Sequence, residues 1–561
     1  MPAVVALLDW LPGYRREWAR ADVVAGLTTA AVVIPKSMAY ATVAGLPIQV
    51  GLYTAFIPML VYAVLGTSRP LSVSTTTTLA ILTGAQLSEA VPGGDPAALM
   101  QATALLTLMV GGALVLASVF RLGFVANFIS EPVLVGFKAG IAVVIIVDQI
   151  PKILGIHFAK GTFLQNVAGI GHGLPDLSFA TLTVGVSTIG VLTLLEKFRP
   201  RWPAPLIAVA GAIACAATFA LQRSGVELVG AIPSGLPPLT LPDLHLAQQL
   251  WPGAVGIALM SFTETIAAGR AFVANDEPAP RPNVELLATG IGNAAGAFFG
   301  AMPGGGGTSQ TAVNRTTGAK TQVAGTITAM MTLLTMLLLA PLIALMPQAT
   351  LAAVVIVYSV GLIQPVDFRN ILRVRRTEFF WAIAAFAGVM LLGTLKGIIV
   401  SIIVSLVSLA QQAANPPVHE LVRKRGTNVF RPRSDEHADD ETLPGLLLLR
   451  PEGRLFFVNI ESVAEKTRPL IAQAKPDVVV IDFSAVFDLE YSALKELIAA
   501  EKRMQDMGVS MWVAGLSPDV FAMVRRSPLG DVLGDQRMFF NVETAVARFL
   551  ADRSDNQRAE M

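Results

Sequence analysis

The 561 residues are 53% hydrophobic and only 14% charged, with a mean hydropathy of +0.61, which excludes a soluble globular chain and puts most of the residues in lipid. A net charge of +1 lacks the basic excess that a nucleic-acid binder needs. The one cysteine, Cys215, excludes a disulfide framework and a cysteine-held metal cluster.

Residues 1–21 contain a modest apolar stretch, VVALLDWL, then Arg15, Arg16 and Arg20, with no small-residue cleavage site. They read as a cytoplasmic surface helix ahead of the first span. Between residues 22 and 412, apolar tracts recur that can cross about 30 Å of hydrocarbon, each needing roughly 20 helical residues. With Pro, Gly and charged clusters as punctuation they number fourteen. They begin near Asp22, Gln49, Val73, Met100, Phe124, Leu177, Pro203, Pro252, Asn283, Gly307, Gln322, Gln348, Glu378 and Gly397.

An even count puts both chain ends on one side, and the basic clusters should alternate with poorer loops. Arg15/Arg16/Arg20, Arg69, Arg121, Lys197/Arg199/Arg201, Arg270/Arg281, Arg315/Lys320, Arg369/Arg373/Arg375/Arg376 and Arg423/Lys424/Arg425 fall on the N-terminal side. The opposite loops hold only Lys152, Lys160, Arg223 and Lys396 as basic residues, beside Asp95. The expectation is a multi-pass protein of the cell membrane with both termini cytoplasmic.

Residues 413–442 read as a charged linker. Residues 443–552 read as a cytosolic α/β domain without a catalytic constellation, and 553–561 as a tail. In the domain, LLLLRPEGRLFFVNI predicts two short strands around a turn, DVVVIDFSA a buried strand, YSALKELIAAEKRMQDMG an amphipathic helix and SMWVAGL another strand.

The stretch PGGGGTSQTAVNRTTGAK, residues 303–320, interrupts the apolar tracts. Four successive glycines, Gly304 to Gly307, unwind a membrane helix, and Thr308, Ser309, Gln310 and Thr311 restart helical spacing. The break predicts a helix N-terminus at bilayer depth, with free amides and the positive end of a dipole, and hence an anion site. Two intramembrane charges, Lys36 in IPKSMAY and Glu264 in SFTETIA, are functional candidates because charge at that depth is costly. The glycines lack a following Lys-Ser/Thr pair, so no phosphate-binding ATPase loop is present and no cofactor is expected.

AGLTTAAVVIPKSMAYATVAGLPIQVGLYTAFIPMLVYAVLGTSR (residues 25–69), FTETIAAGRAF (262–272), NVELLATGIGN (283–293) and GTSQTAVNRTTGAKTQVAG (307–325) resemble, in order, the SulP or solute carrier twenty-six family of anion transporters. The terminal domain resembles STAS, the sulfate-transporter and anti-sigma-antagonist module. The resemblance covers nearly the whole chain.

It implies an α-helical polytopic fold of two seven-helix repeats, inverted in the membrane, at 22–222 and 250–412, joined by a loop at 223–249. In such repeats the substrate lies between two discontinuous helices at the midplane. It further implies a core domain moving against a gate domain, an elevator or rocking motion, and a secondary active transporter of inorganic anions, not an enzyme. Sulfate is the expected substrate, with bicarbonate or a C4-dicarboxylate as alternatives, moved by symport with protons or sodium or by exchange. A homodimer and a cytosolic protein partner at the STAS domain are also expected. Uracil and other nucleobase carriers share the architecture, so fold alone does not choose the substrate. An anion channel and a STAS-mediated signalling scaffold are the competing classes.

The partner of the glycine break is then SVSTTTTLAIL, where Ser74, Thr75 and Thr76 replace the Gly-Pro and bulky residue of many relatives. Its hydroxyls either face the anion or bond back to their own helix. Glu264 matches the glutamate that the resemblance associates with proton coupling, and Lys36 stands where many members have glutamine. The pair is open to three readings: a structural bridge, a positive charge for the substrate from Lys36, or a proton carrier at Glu264. Gln310 stands where some relatives have arginine, so helix dipoles, each roughly half an elementary charge, must carry more of the attraction.

The substrate-binding candidates are thus Ser74, Thr75, Thr76, Gly307, Thr308, Ser309, Gln310 and Lys36. Glu131 and Lys138, seven apart on one face, read as packing or vestibule residues, Asp148 as a solvated helix end, and Asn283 and Glu285 as structural. Arg315 and Lys320 read as orientation signals. In FDLEYSALKEL, Ser492 aligns with the phosphorylated serine of bacterial anti-sigma antagonists, but a plain helix N-cap is the simpler reading.

Overall fold

The computed structural model describes residues 8, 10–124, 130–158, 161–200, 202–230, 235–274 and 277–559. Most of VVALLDWL, Lys160, Arg201 and the end of the tail lie outside the described residues. Contacts divide the chain into two units, Met1–Leu406 and Val407–Met561.

The first unit opens with α1 (Trp18–Val43) and α2 (Ile48–Leu65), the short strand β1 (Val73–Ser74), and then α3 (Thr77–Ala90). It continues with α4 (Pro96–Val119), α5 (Glu131–Leu154), α6 (Phe163–Gly173), α7 (Phe179–Phe198) and α8 (Ala204–Phe219). A second series follows: α9 (Ala247–Ala271), α10 (Pro282–Phe298), the strand β2 (Gly305–Gly306) and α11 (Thr308–Thr316). It closes with α12 (Val323–Leu334), α13 (Ala340–Ile343), α14 (Gln348–Val360), α15 (Pro365–Val374), α16 (Arg376–Leu392) and α17 (Thr394–Ala414), which crosses into the second unit. Among the described residues, eight helical stretches are long and apolar enough to cross a membrane. The expected N-terminal surface helix does not form at Trp10 to Tyr14, which make turns instead, consistent with Pro12-Gly13 in their middle.

The helices pack at near-backbone contact where glycine allows it. A Cβ on Gly136 of α5 would lie 1.9 Å from the Ala382 carbonyl oxygen of α16, and one on Gly111 of α4 would lie 2.6 Å from the Ala294 nitrogen of α10. Such small-residue seams replace the hydrophobic drive that is missing between helices in lipid.

The half-length helices α3 and α11 are the exception to continuous spanning. Their leading strands pair antiparallel, Val73 with Gly306 and Ser74 with Gly305. Each strand runs straight into its helix, so the two helices leave the crossing in opposite directions with both N-termini at its centre. The unwound glycines stay satisfied, as a dry interior demands. Asn293 accepts from the Gly304 amide at 2.8 Å and donates to its carbonyl at 3.0 Å, Ser261 donates to the same carbonyl at 2.7 Å, and Thr265 accepts from the Gly306 amide at 2.9 Å.

The second unit holds strands β3 (Val418–Arg423), β4 (Phe430–Pro432), β5 (Leu446–Pro451), β6 (Val478–Asp482), β7 (Ser510–Ala514) and β8 (Met538–Phe539), in sheet order β4-β3-β5-β6-β7-β8. β5 to β8 are parallel, and α18 (Ile460–Ala474) and α19 (Tyr491–Asp506) are the crossovers between β5, β6 and β7. Two expectations are corrected. Much of 413–442 is not linker: β3 and β4 form the antiparallel edge, whose charges are absorbed by pairs such as Arg431–Asp440 at 2.7 Å. The second strand expected within GRLFFVNI does not form. Only Leu455 makes a bridge, to Leu489, and Asn459 folds the chain back by accepting from the Phe456 amide and donating to the Arg454 carbonyl.

Candidate functional site

At the crossing of α3 and α11 lies a cavity of about 350 Å³. Thr75 to Thr78 and Gly307 to Gln310 line it from the two N-termini, and Glu264 of α9 from beside them. Tyr40, Tyr358 and the α5 residues Glu131 and Lys138 complete its polar wall. The first amides of a helix have no intrahelical acceptor, so two sets of N–H donors and two positive dipole ends converge on one volume. A second cavity of about 330 Å³ lies at the far end of α5, lined by both signs of charge, Asp148 and Glu227 with Lys152 and His157, and away from the two helix N-termini.

The hydroxyl run divides its labour. Thr76 caps α3, accepting from the Leu79 amide at 3.3 Å, and donates to Glu264 at 2.7 Å. Thr75 is fully buried, lines the cavity and has a hydroxyl with no protein partner. Leaving such a donor unpaired is costly unless something in the cavity accepts from it. Ser74 is fully buried in the strand crossing, behind the lining. Thr308 and Ser309 open onto the cavity, while Gly307 serves as the N-cap of α11 and contributes no side chain.

Lys36 and Glu264 do not form the structural bridge. Lys36 Nζ donates to Ser309 Oγ at 3.1 Å and lies 3.5 Å from the centre of the Tyr358 ring, a cation–π contact, so it steadies α11 against α14. Glu264 turns instead to the Thr76 cap.

Gln310 has a structural role beside its place on the lining. Its amide donates to the Ser72 carbonyl at 3.0 Å and to Ser74 Oγ at 2.8 Å, so its nitrogen clamps the strand crossing although the residue borders the cavity. Affinity and folding are therefore coupled at this position. Gln310→Ala should lower the melting temperature of the purified protein as well as weaken anion binding, because two buried acceptors lose their donor at roughly 1 kcal/mol or more each. Thermal unfolding in detergent, with and without sulfate, checks this.

Among the remaining candidates, Glu285 is structural as expected, accepting from Tyr62, the Thr67 amide and the Thr67 hydroxyl. Asn283 likewise receives the Gly123 amide at 2.9 Å. Asp148 is half-buried and takes a hydrogen bond from Asn166. Arg315 pairs with Glu277 at 2.9 Å. Ser492 is not the cap of α19: Glu490 occupies the cap position, and Ser492 is exposed in the first turn.

Sequence reasoning missed Tyr358 and Tyr40 as cavity walls and Asp22 as a brace. Asp22 accepts from the Lys320 and Thr321 amides at 2.7 and 3.1 Å, fixing the turn after α11. Tyr40 stood inside the IPKSMAY motif and Asp22 was a visible charge near the start of the first span, whereas Tyr358 carried no signal.

Residues 20–385 match the sulfate permease family profile and residues 437–545 the STAS domain profile. A probable sulfate transporter of Mycobacterium tuberculosis is 33% identical over 554 residues, which cover 96% of this chain and 98% of that protein. Among solved structures, the murine solute carrier 26 family member A9 anion transporter in the inward-facing state aligns with a TM-score of 0.89 at 22% identity, over 98% of this chain and 94% of that one. The transmembrane domain of a cyanobacterium bicarbonate transporter aligns with a TM-score of 0.61 at 22% identity, over 69% of this chain and 98% of that one. At such identities the two structures speak for the fold alone.

Proposed function

Because this chain belongs to the sulfate permease family and carries a STAS domain, we propose that it is a secondary transporter of small oxyanions, with sulfate as the first candidate and bicarbonate and C4-dicarboxylates next. The observation that carries the reading is the crossing of β1 and β2, which brings two helix N-termini to one cavity, lined also by Thr75, whose buried hydroxyl has no partner in the protein. Amides, hydroxyls and dipoles supply the attraction at the crossing itself, where the helix ends carry no formal charge, so binding can be strong enough to load and weak enough to release.

The placement of Glu264 suggests how a proton is coupled. Its carboxylate sits on the cap of α3, so an ionised Glu264 and a bound anion compete for the same positive helix end. Each therefore disfavours the other, and by reciprocity a proton on Glu264 and an anion in the cavity favour each other. The cavity reaches Glu131 at the start of α5 and Gln364 after α14. These ends lie on the side that the basic clusters assign to the cytoplasm, so the state described is open inward. The relation of β1–α3 to β2–α11 fits two inverted seven-helix halves, one swinging against the other to carry the site across.

Uptake of labelled sulfate, bicarbonate, nitrate, chloride, succinate and fumarate into proteoliposomes, with and without proton and sodium gradients, tests the reading. Saturable, gradient-stimulated uptake led by one oxyanion is expected. Binding of sulfate without flux would turn the protein into a receptor.

A further inference from the structure

Resting on the reading of the cavity as an anion site, we infer that Lys138 of α5 is the counter-charge that sets the valence of the anion, favouring dianions over monoanions. Lys138 lines the cavity from α5, while the helix N-termini line it from α3 and α11, and the lysine is half-buried. Among the described residues it has no ion-pair partner and no hydrogen-bond acceptor, and an ammonium at this depth without a counter-charge is costly. Lys36, the intramembrane lysine of α1, is outside the lining and already occupied by Ser309 and the Tyr358 face.

The charge balance supports a dianion. Each half-helix end contributes roughly half a positive charge, and Lys138 adds a whole one. With Glu264 protonated, the two helix ends and Lys138 supply about two positive charges on the lining, one unit more than a monoanion needs, while Lys36 behind Ser309 is offset by Glu196. Glu131, the remaining charged residue on the lining, is exposed at the first residue of α5, about 10 Å along the helix from Lys138, and so belongs to the rim. Lys138 acts on selectivity by charge alone, with no bond made or broken.

The test is the ratio of kcat/KM for sulfate to that for nitrate, measured with the purified full-length protein in proteoliposomes. Lys138→Gln should lower this ratio by roughly tenfold to a hundredfold, chiefly through the KM for sulfate, because one unit of charge a few ångströms away is lost. Lys138→Arg should keep the ratio near that of the parent. Val135, one turn away on the same wall, offers an independent probe: Val135→Glu sets a carboxylate beside an intact lysine and should move the ratio the same way. It also serves if Lys138→Gln fails to fold. Equal losses for both anions, or an unchanged ratio in a folded Lys138→Gln or Val135→Glu protein, would overturn the assignment and leave the transporter reading standing. If the parent protein takes up neither anion, the same ratio is read for succinate against bicarbonate, and uptake of none of these anions would overturn the transporter reading and this inference with it.

Discussion

Glu285→Leu is expected to abolish recovery of folded protein. Glu285 is 1% exposed and accepts three hydrogen bonds, from the Tyr62 hydroxyl at 2.6 Å, the Thr67 amide at 2.9 Å and the Thr67 hydroxyl at 2.5 Å. Leucine fills the space but leaves three buried donors without an acceptor, at roughly 1–3 kcal/mol each. The sum is comparable to the whole stability of a typical domain, about 5–15 kcal/mol. The consequence reaches the site, because Thr67 leads the chain from α2 into β1 and its hydroxyl also receives the Arg281 amide at 3.0 Å. Losing Glu285 frees the strand that presents Thr75 and Thr76. Glu285→Gln, which keeps one acceptor oxygen, should be recovered in reduced yield with a lower melting temperature. Size-exclusion profiles and melting curves of the detergent-solubilised protein decide it. A monodisperse Glu285→Leu protein melting within a few degrees of the parent would show that the hydrogen-bonded carboxylate is dispensable.

Glu264→Gln is expected to uncouple uptake from the proton gradient while leaving the protein folded. The amide oxygen can still accept from Thr76, so the cap of α3 survives, but the side chain no longer carries a proton across. For each proton moved with the anion, a pH unit across the membrane is worth about 1.4 kcal/mol, or about tenfold in accumulation. That increment should vanish in the variant, whereas exchange of internal for external anion should persist. Stimulation by a proton gradient equal to that of the parent would remove Glu264 from the coupling step.

The parts of the site that were legible in the sequence are those in which chemistry conflicts with the membrane. Four glycines, a run of hydroxyls and two charges in apolar surroundings each cost free energy, and each cost pointed to a role. What was illegible depends on register between segments far apart in the chain. Lys36 could be seen as buried, but not that its reach ends at Ser309 and Tyr358 instead of Glu264. Gln310 was visible as a candidate beside the glycine break, but not that its amide clamps the Ser72 carbonyl, which lies in the other half of the chain. Lys138 could be placed on one face of α5 with Glu131 and read as a packing or vestibule residue, but only the packing of α5 beside the crossing puts it on the cavity lining. In the second unit, β3 and β4 were hidden because an edge hairpin can satisfy its charges in cross-strand pairs, and the composition then looks like that of a linker.

The most direct test of transport through the crossing of α3 and α11 is counterflow of labelled sulfate in proteoliposomes preloaded with unlabelled sulfate. A site that opens alternately to each side predicts transient accumulation of label above equilibrium, stimulated by internal sulfate and saturating with external sulfate. Linear flux that internal sulfate fails to stimulate would mark an open pore and contradict it.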